Sequence, residues 1–291
     1  MRDMLRKAFF SARTAYTDWL WSPRLLVFGF VFMFEFTYFL KPMNELARRL
    51  GTPINILEPF CAMANDRYAL PLIVLGFMVL ISDFPRLSDF ATFSLFRTGR
   101  RAWLLGQVMF LFMAGLTYIG FILASSLLCV MNNAYYLNAW SLVQKRLLLD
   151  TDEARTLCGL YPFARMDTSV LRQARPLEAL LHGVLLILLF IVAVGCVQLL
   201  FALMQRKVIS VFVNLSACAA GLVLLIIDIR AKWLFPISNA VFGWHYDGTY
   251  NETNMPISAS YIYFGAVIAV MLLLLRGMVR RCSFHITGGT E

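Results

Sequence analysis

Glu35 is the one carboxylate set well inside an apolar run, in LVFGFVFMFEFTYFL. An ionisable group at membrane depth costs at least about 3 kcal/mol unless it is paired, protonated or hydrated. Two readings stay open. Glu35 lines a substrate path or proton-sensitive site, with Gln107 and Asn214 as further polar lining. Alternatively it hydrogen-bonds across helices to Gln107, Gln198 or Asn214. The three histidines, His182, His245 and His285, share no local constellation. The cysteines are Cys61, Cys129, Cys158, Cys196, Cys218 and Cys282. They form no C-x-x-C pair and have no histidine at ligand spacing, which argues against zinc. Cys196 and Cys218 sit in apolar segments and read as small hydrophobes. Cys61 and Cys158 can share one side of the membrane, where a disulfide is an open alternative. No G-x-x-x-x-G-K-[ST], H-E-x-x-H or G-x-S-x-G occurs, so the residues offer no catalytic set, no metal site and no cofactor site. Asn251-Glu-Thr matches a glycosylation sequon, read here as chance.

These residues need a frame, and composition says which kind. The 291-residue chain is 60% hydrophobic and 15% charged, with a mean hydropathy of +0.70. Soluble domains carry about 45–50% apolar and about 25% charged residues, so both values point to lipid. The net charge of +9 does not point to nucleic acid, because the basic residues gather at the ends of apolar segments, as in membrane anchoring and orientation.

Six apolar segments can be drawn, over 24–40, 68–82, 103–128, 180–204, 208–227 and 258–275. A crossing helix needs about 20 residues. The last four meet that length. The first holds Glu35, and the second is short and contains Pro71, so four crossings is the competing count. Short flanks place Arg2, Arg6, Lys7, Arg13, Arg24, Arg206, Lys207, Arg276, Arg280 and Arg281 on one side, with the connector between the second and third segments. The positive-inside bias then puts both termini in the cytoplasm. Arg48, Arg49 and Arg67 pull the other way. The first apolar run follows about twenty amphipathic residues and lacks a small-residue cleavage site, which argues against a cleavable signal peptide.

Residues 1–22 read as a helix in the interface plane. Leu5, Phe9, Ala12, Tyr16, Trp19 and Leu20 recur at helical spacing, while Arg2, Arg6, Arg13 and Thr17 take another face. Ser22-Pro23 then starts the first span. Two outer loops, 129–179 and 228–257, are too long for simple turns. The first holds a short amphipathic helix from Asn138 to Leu149 and an acidic turn, Asp150-Thr-Asp-Glu. The second is aromatic and punctuated by Pro236, Gly243, Gly248 and Pro256. Gly115 and Gly120, with Ala114 and Ala124, permit close helix approach.

The connector reads DFPRLSDFATFSLFRTGRRAW from Asp83 to Trp103. Ser88 or Asp89 can cap a short helix with Leu87, Phe90, Ala91 and Leu95 on its apolar face. Arg97, Arg100 and Arg101 gather at its far end. The plain alternative is an interfacial connector with positive-inside arginines.

The order of elements resembles the permease subunits of ABC-2 type (type V) ABC transporters. These are all-α and polytopic, with an interfacial N-terminal helix, six spans and a cytoplasmic coupling helix between the second and third. Residues 81–107, ISDFPRLSDFATFSLFRTGRRAWLLGQ, are similar to the corresponding region of uncharacterised permeases from Gram-positive bacteria: an acidic residue and proline, an arginine-glycine-arginine cluster, a tryptophan and a glycine. The resemblance implies a bacterial plasma-membrane protein and a second permease subunit, in a homo- or heterodimer. It implies a separate cytosolic ATPase that binds the ATP and Mg. Within the coupling segment 83–102, Asp83, Phe84, Arg86, Asp89, Phe90, Arg97, Arg100 and Arg101 would dock that ATPase. Residues 228–257 would gate the exit, and the direction would be export. Two other classes stay open: a membrane-embedded enzyme acting on lipid or peptide through Glu35 or His182, and a non-catalytic scaffold or sensor subunit.

Overall fold

Ser22 and Pro23 set the entry to the first long helix. The Ser22 hydroxyl oxygen accepts the Arg24 amide N–H, and Pro23 occupies a first-turn position that needs no donor. The structure is a computed structural model and describes residues 2–85, 98–159, 163–247 and 252–281. After a 3-10 turn the helix runs as α2 (Leu26–Glu35), a π turn (Phe36–Leu40) and α3 (Lys41–Leu50). It therefore passes the expected end at residue 40 and stops at Gly51, whose φ of 63° is left-handed. Pro42 explains the π turn. A proline inside a helix lacks an N–H and crowds the carbonyl four residues back. Here the Lys41 amide bonds to the Phe36 carbonyl, five residues back, and the widened turn absorbs the proline without ending the helix.

The second apolar segment is a bent pair. α4 (Glu58–Asn65) and α5 (Ala69–Leu80) meet at 90°. Asp66 sits at the break, where its carboxylate accepts the Tyr68 and Ala69 amides at 2.8 and 2.7 Å. Three more long helices follow: α6 (Arg100–Val130), α10 (Pro176–Leu203) and α11 (Lys207–Ile226). The last is α13 (Ile257–Arg281). Between α6 and α10 lie α7 (Leu142–Leu149), α8 (Thr151–Cys158) and α9 (Thr168–Gln173). Between α11 and α13 lie a 3-10 turn (Arg230–Leu234), α12 (Pro236–Ala240) and a second 3-10 turn (Phe242–His245). Two short parallel strands, β1 (Ile54–Asn55) and β2 (Ala134–Tyr135), pair Ile54 with Ala134.

Among the described residues, five helical stretches are long and apolar enough to cross a membrane: Pro23–Leu50, Arg100–Asn133, Pro176–Leu203, Lys207–Ile226 and Ile257–Arg280. The bent pair makes a sixth if counted as one crossing. The chain is an all-α, multi-pass membrane protein. α10 is its axis, with 67% of its apolar window buried against 22% for α11 and 17% for the last helix. The outward faces of those two are apolar and suit acyl chains. α6 meets α10 through Gly115 and Gly195. A Cβ on Gly195 would lie 2.6 Å from a Leu111 methyl, and one on Gly115 would lie 3.0 Å from Leu188. Gly120 has open space beside it, so only Gly115 of the expected pair serves close packing.

α1 (Arg2–Leu20) is a packed element. It lies along α6, where Gly106 abuts the Ala8 carbonyl and Ser11. Tyr16 donates its hydroxyl to Thr117 Oγ1 at 2.6 Å, because the Thr117 proton goes to the Met113 carbonyl. Trp19 donates its indole N–H to the Leu80 carbonyl at 2.9 Å. The expected apolar face divides: Ala12 and Trp19 are buried in the bundle, while Leu5 and Phe9 stay exposed.

The expected outer helix begins at Leu142 instead of Asn138. The Ser141 hydroxyl caps it by accepting the Gln144 amide N–H. Asp150-Thr-Asp-Glu is the start of α8, capped by Asp150 on the Glu153 amide at 3.0 Å. Both caps come from residues whose side chains compete for backbone donors. Cys61 and Cys158 are free thiols, and the buried Cys61 thiol faces the Pro176 carbonyl.

Candidate functional site

The interior carboxyl stands at the seam between α2 and the π turn. Glu35 is 1% exposed. Its Oε2 accepts the Ser125 hydroxyl from α6 at 2.5 Å, and its Oε1 has no hydrogen-bond partner. π turns recur at functional sites because they redirect side chains. The partner is thus Ser125, which the sequence reading did not single out. Gln107 precedes Ser125 by eighteen positions on the same helix, about 27 Å at 1.5 Å per residue. Asn214 lies on α11, with its amide toward the Val194 carbonyl at 3.4 Å. Glu35, Gln107 and Asn214 are all buried, yet the fold spreads the first two along the length of α6.

The two described ends of the connector are bound to the bundle. Asp83 forms an ion pair with Arg24, and its carbonyl accepts Lys207 Nζ at 3.2 Å. Phe84 is buried and stacks on Phe110, ring centroids 4.7 Å apart. On the return, the Arg100 guanidinium donates to the Arg280 carbonyl at 2.7 Å and the Val279 carbonyl at 3.3 Å. A cation on the last carbonyls of α13 suits the negative end of that helix. Arg101 is exposed. Arg86, Asp89, Phe90 and Arg97 lie outside the described residues. Of the expected docking set, Asp83, Phe84 and Arg100 are therefore bound into the bundle, and Arg101 faces outward.

The opposite end carries a clamp. The Glu58 carboxyl accepts both the Ser141 amide N–H and the Ser141 hydroxyl, the latter at 2.6 Å. Asn55 donates to the Leu137 and Ala139 carbonyls, at 2.5 and 2.8 Å. Trp140 donates to the Ala174 carbonyl at 2.8 Å. The described parts of 129–179 thereby form a cap bound to α4. Glu58 and Asn55 were missed in the sequence. Two polar residues near Pro59 signal only a turn, and their partners are more than eighty positions away.

The described parts of the aromatic segment 228–257 close the same end. Asn65 accepts the Gly243 amide N–H at 2.7 Å. His182 stacks on Phe242 and hydrogen-bonds the Tyr261 hydroxyl at 2.7 Å. Ser260 lies 3.3 Å from His245 Nε2, a pairing that invites a hydrolase reading. Hydrogen bonding decides against it. Asn239 spends both amide protons on the Trp233 and Phe235 carbonyls, so its Oδ1 must accept the Ser260 proton, at 2.7 Å. Ser260 and His245 are both fully buried, and the pair reads as internal stitching.

Burial pushes the His245 pKa down, partly offset by hydrogen bonds to the Met255 and Asn239 backbone. A histidine with a lowered folded pKa holds more protons when unfolded. Its contribution to stability is present above about pH 6.5 and is lost as pH falls toward the folded value. The thermal midpoint should therefore drop between pH 7.5 and pH 5, with Trp233, 5.1 Å away ring to ring, reporting by fluorescence. His245→Gln should flatten this part of the profile.

No family model, no curated protein and no solved structure matches the chain.

Proposed function

We propose that the chain is the membrane-spanning permease subunit of an ATP-driven transporter of the ABC-2 type, working in export with a separate cytosolic ATPase and a second permease subunit. In this reading it crosses the membrane six times, the bent pair α4–α5 being the second span. Both termini and the connector face the cytoplasm of a bacterial cell. The observation that carries the reading is the anchoring of the connector. Its first residues are held by Arg24, Lys207 and Phe110, and its last by the end of α13. A segment fixed at its two ends to four different long helices can pass a push from outside into the bundle. The motif resemblance over 81–107 supplies the partner: an ATPase that closes on ATP. ATP and Mg would be bound there, since this chain has no phosphate-binding loop.

Arg100 is bonded to the α13 carbonyls and Arg101 is exposed, so in this reading Arg101, with Arg97 of the same motif, supplies the docking charge and Arg100 the coupling to α13. The test is reconstitution of the permease with its ATPase, reading ATP hydrolysis. Arg97→Glu with Arg101→Glu should lower permease-stimulated hydrolysis at least tenfold by loss of binding. Arg100→Gln should leave binding intact and weaken stimulation. A wild-type protein that stimulates no ATPase would end the transporter reading. An Arg97/Arg101 variant that binds and stimulates normally would end the docking assignment.

A further inference from the structure

A cavity of about 170 Å³ opens at the connector end of the bundle. Its described walls are Ser82 and Phe84 at the start of the connector, Gln198 on α10, and Lys207, Val208, Ser210 and Val211 on the first turns of α11. The volume exceeds what one or two waters fill. Its polar groups are of two kinds. Lys207 gives one hydrogen bond, to the Asp83 carbonyl, and keeps two ammonium donors. The other polar residues of the lining are Ser82, Ser210 and Gln198. Ser82 and Ser210 donate their protons to the Val79 and Lys207 carbonyls, which leaves each hydroxyl oxygen free to accept. Gln198 is 4% exposed, and its Oε1 is buried with no partner. A buried amide oxygen left unpaired costs about 1–3 kcal/mol, so the site favours a ligand that brings a donor.

The cavity thus asks for an anionic oxygen for Lys207 and a hydrogen-bond donor for Gln198 and the serines, joined in one small group. Phe84, Val208 and Val211 give it an apolar wall. Val208 and Phe212 stand 69% and 66% exposed on the outward face of α11, where an acyl chain would lie. A bare phosphate satisfies Lys207 but brings nothing apolar and leaves that wall unused. A choline head carries no donor. We infer that the cavity holds the headgroup of one phospholipid whose phosphodiester bears a donor, either the ammonium of an ethanolamine head or the hydroxyls of a glycerol head. This assignment is independent of the transport reading.

The full chain, purified in a maltoside, tests it by thermal shift with short-chain lipids. Dihexanoyl phosphatidylethanolamine or phosphatidylglycerol should raise the midpoint saturably. The phosphatidylcholine analogue and inorganic phosphate should bind at least tenfold more weakly. The preferred head tells ammonium from hydroxyl. Lys207→Ala and Gln198→Leu should each weaken the preferred lipid at least tenfold. Gln198→Leu should also match or exceed the wild-type midpoint without lipid, since it removes the orphaned amide, and so separates lost binding from lost folding. Equal binding of the choline lipid, saturation by phosphate alone, or wild-type affinity in Gln198→Leu would each overturn the assignment.

Discussion

Changing Glu58 to alanine is expected to loosen the Glu58–Ser141 clamp and make Cys61 reactive. The carboxyl takes two donors from Ser141, and both groups are buried. Removing it leaves the Ser141 amide N–H without an acceptor, at a cost of about 1–3 kcal/mol. The emptied volume and the second lost bond add to that, for a total of about 2–4 kcal/mol. The loss should appear as opening of the cap, because the Ser141 bonds tie it to α4, whereas Trp140 bonds within the cap, to Ala174. Cys61 lies one helical turn beyond Glu58 on α4, fully buried against Pro176. It should be protected from maleimide in the wild type and labelled in Glu58→Ala, with peptide mapping to separate it from Cys129 and Cys158. Glu58→Gln should fall between, since its amide oxygen can still take the Ser141 N–H. Wild-type protection of Cys61 in Glu58→Ala would show that the strand pair and Asn55 hold the cap alone.

That clamp also marks where sequence reading stops. Hydropathy located the long helices, because lipid demands an apolar run of known length. The first helix escaped it beyond residue 40: Lys41 and Pro42 look like an end, and only the π turn lets the helix continue. Glu35 was visible as an anomaly of position, since a lone carboxylate stands out in an apolar run. Its partner was not, because Ser125 resembles any small residue in a span and lies ninety positions away. Phe84 and Arg100 were grouped with the docking residues through the resemblance over 81–107. In space each also meets an element the sequence did not point to, Phe110 and the end of α13. Charge and periodicity report local environment, and long-range pairing leaves no mark in a single chain.

Glu35 and Ser125 should respond to substitution with opposite signs. Glu35→Met keeps the length of the side chain and removes a carboxyl with one unpaired oxygen. Replacing a buried polar group by an apolar one of similar volume is neutral to stabilising. The gain expected is about 1–2 kcal/mol, a rise in midpoint of about 2–8 °C. Ser125→Ala acts otherwise. The hydroxyl also contacts the Ile122 carbonyl of its own helix, so that carbonyl keeps its helical partner. The carboxyl, however, loses its one donor and both oxygens become orphans, a loss of about 1–3 kcal/mol. The double variant should recover most of the Glu35→Met midpoint, which makes the coupling between the two sites explicit. Function decides what the carboxyl is for. Under the proposed transport function a carboxyl that costs stability serves activity, and Glu35→Met should then cut ATPase-coupled turnover at least tenfold while the protein becomes harder to melt. A stabilised variant with full turnover would reduce Glu35 to an interhelical hydrogen bond. A destabilised one would mean that the Ser125 bond outweighs the orphaned oxygen.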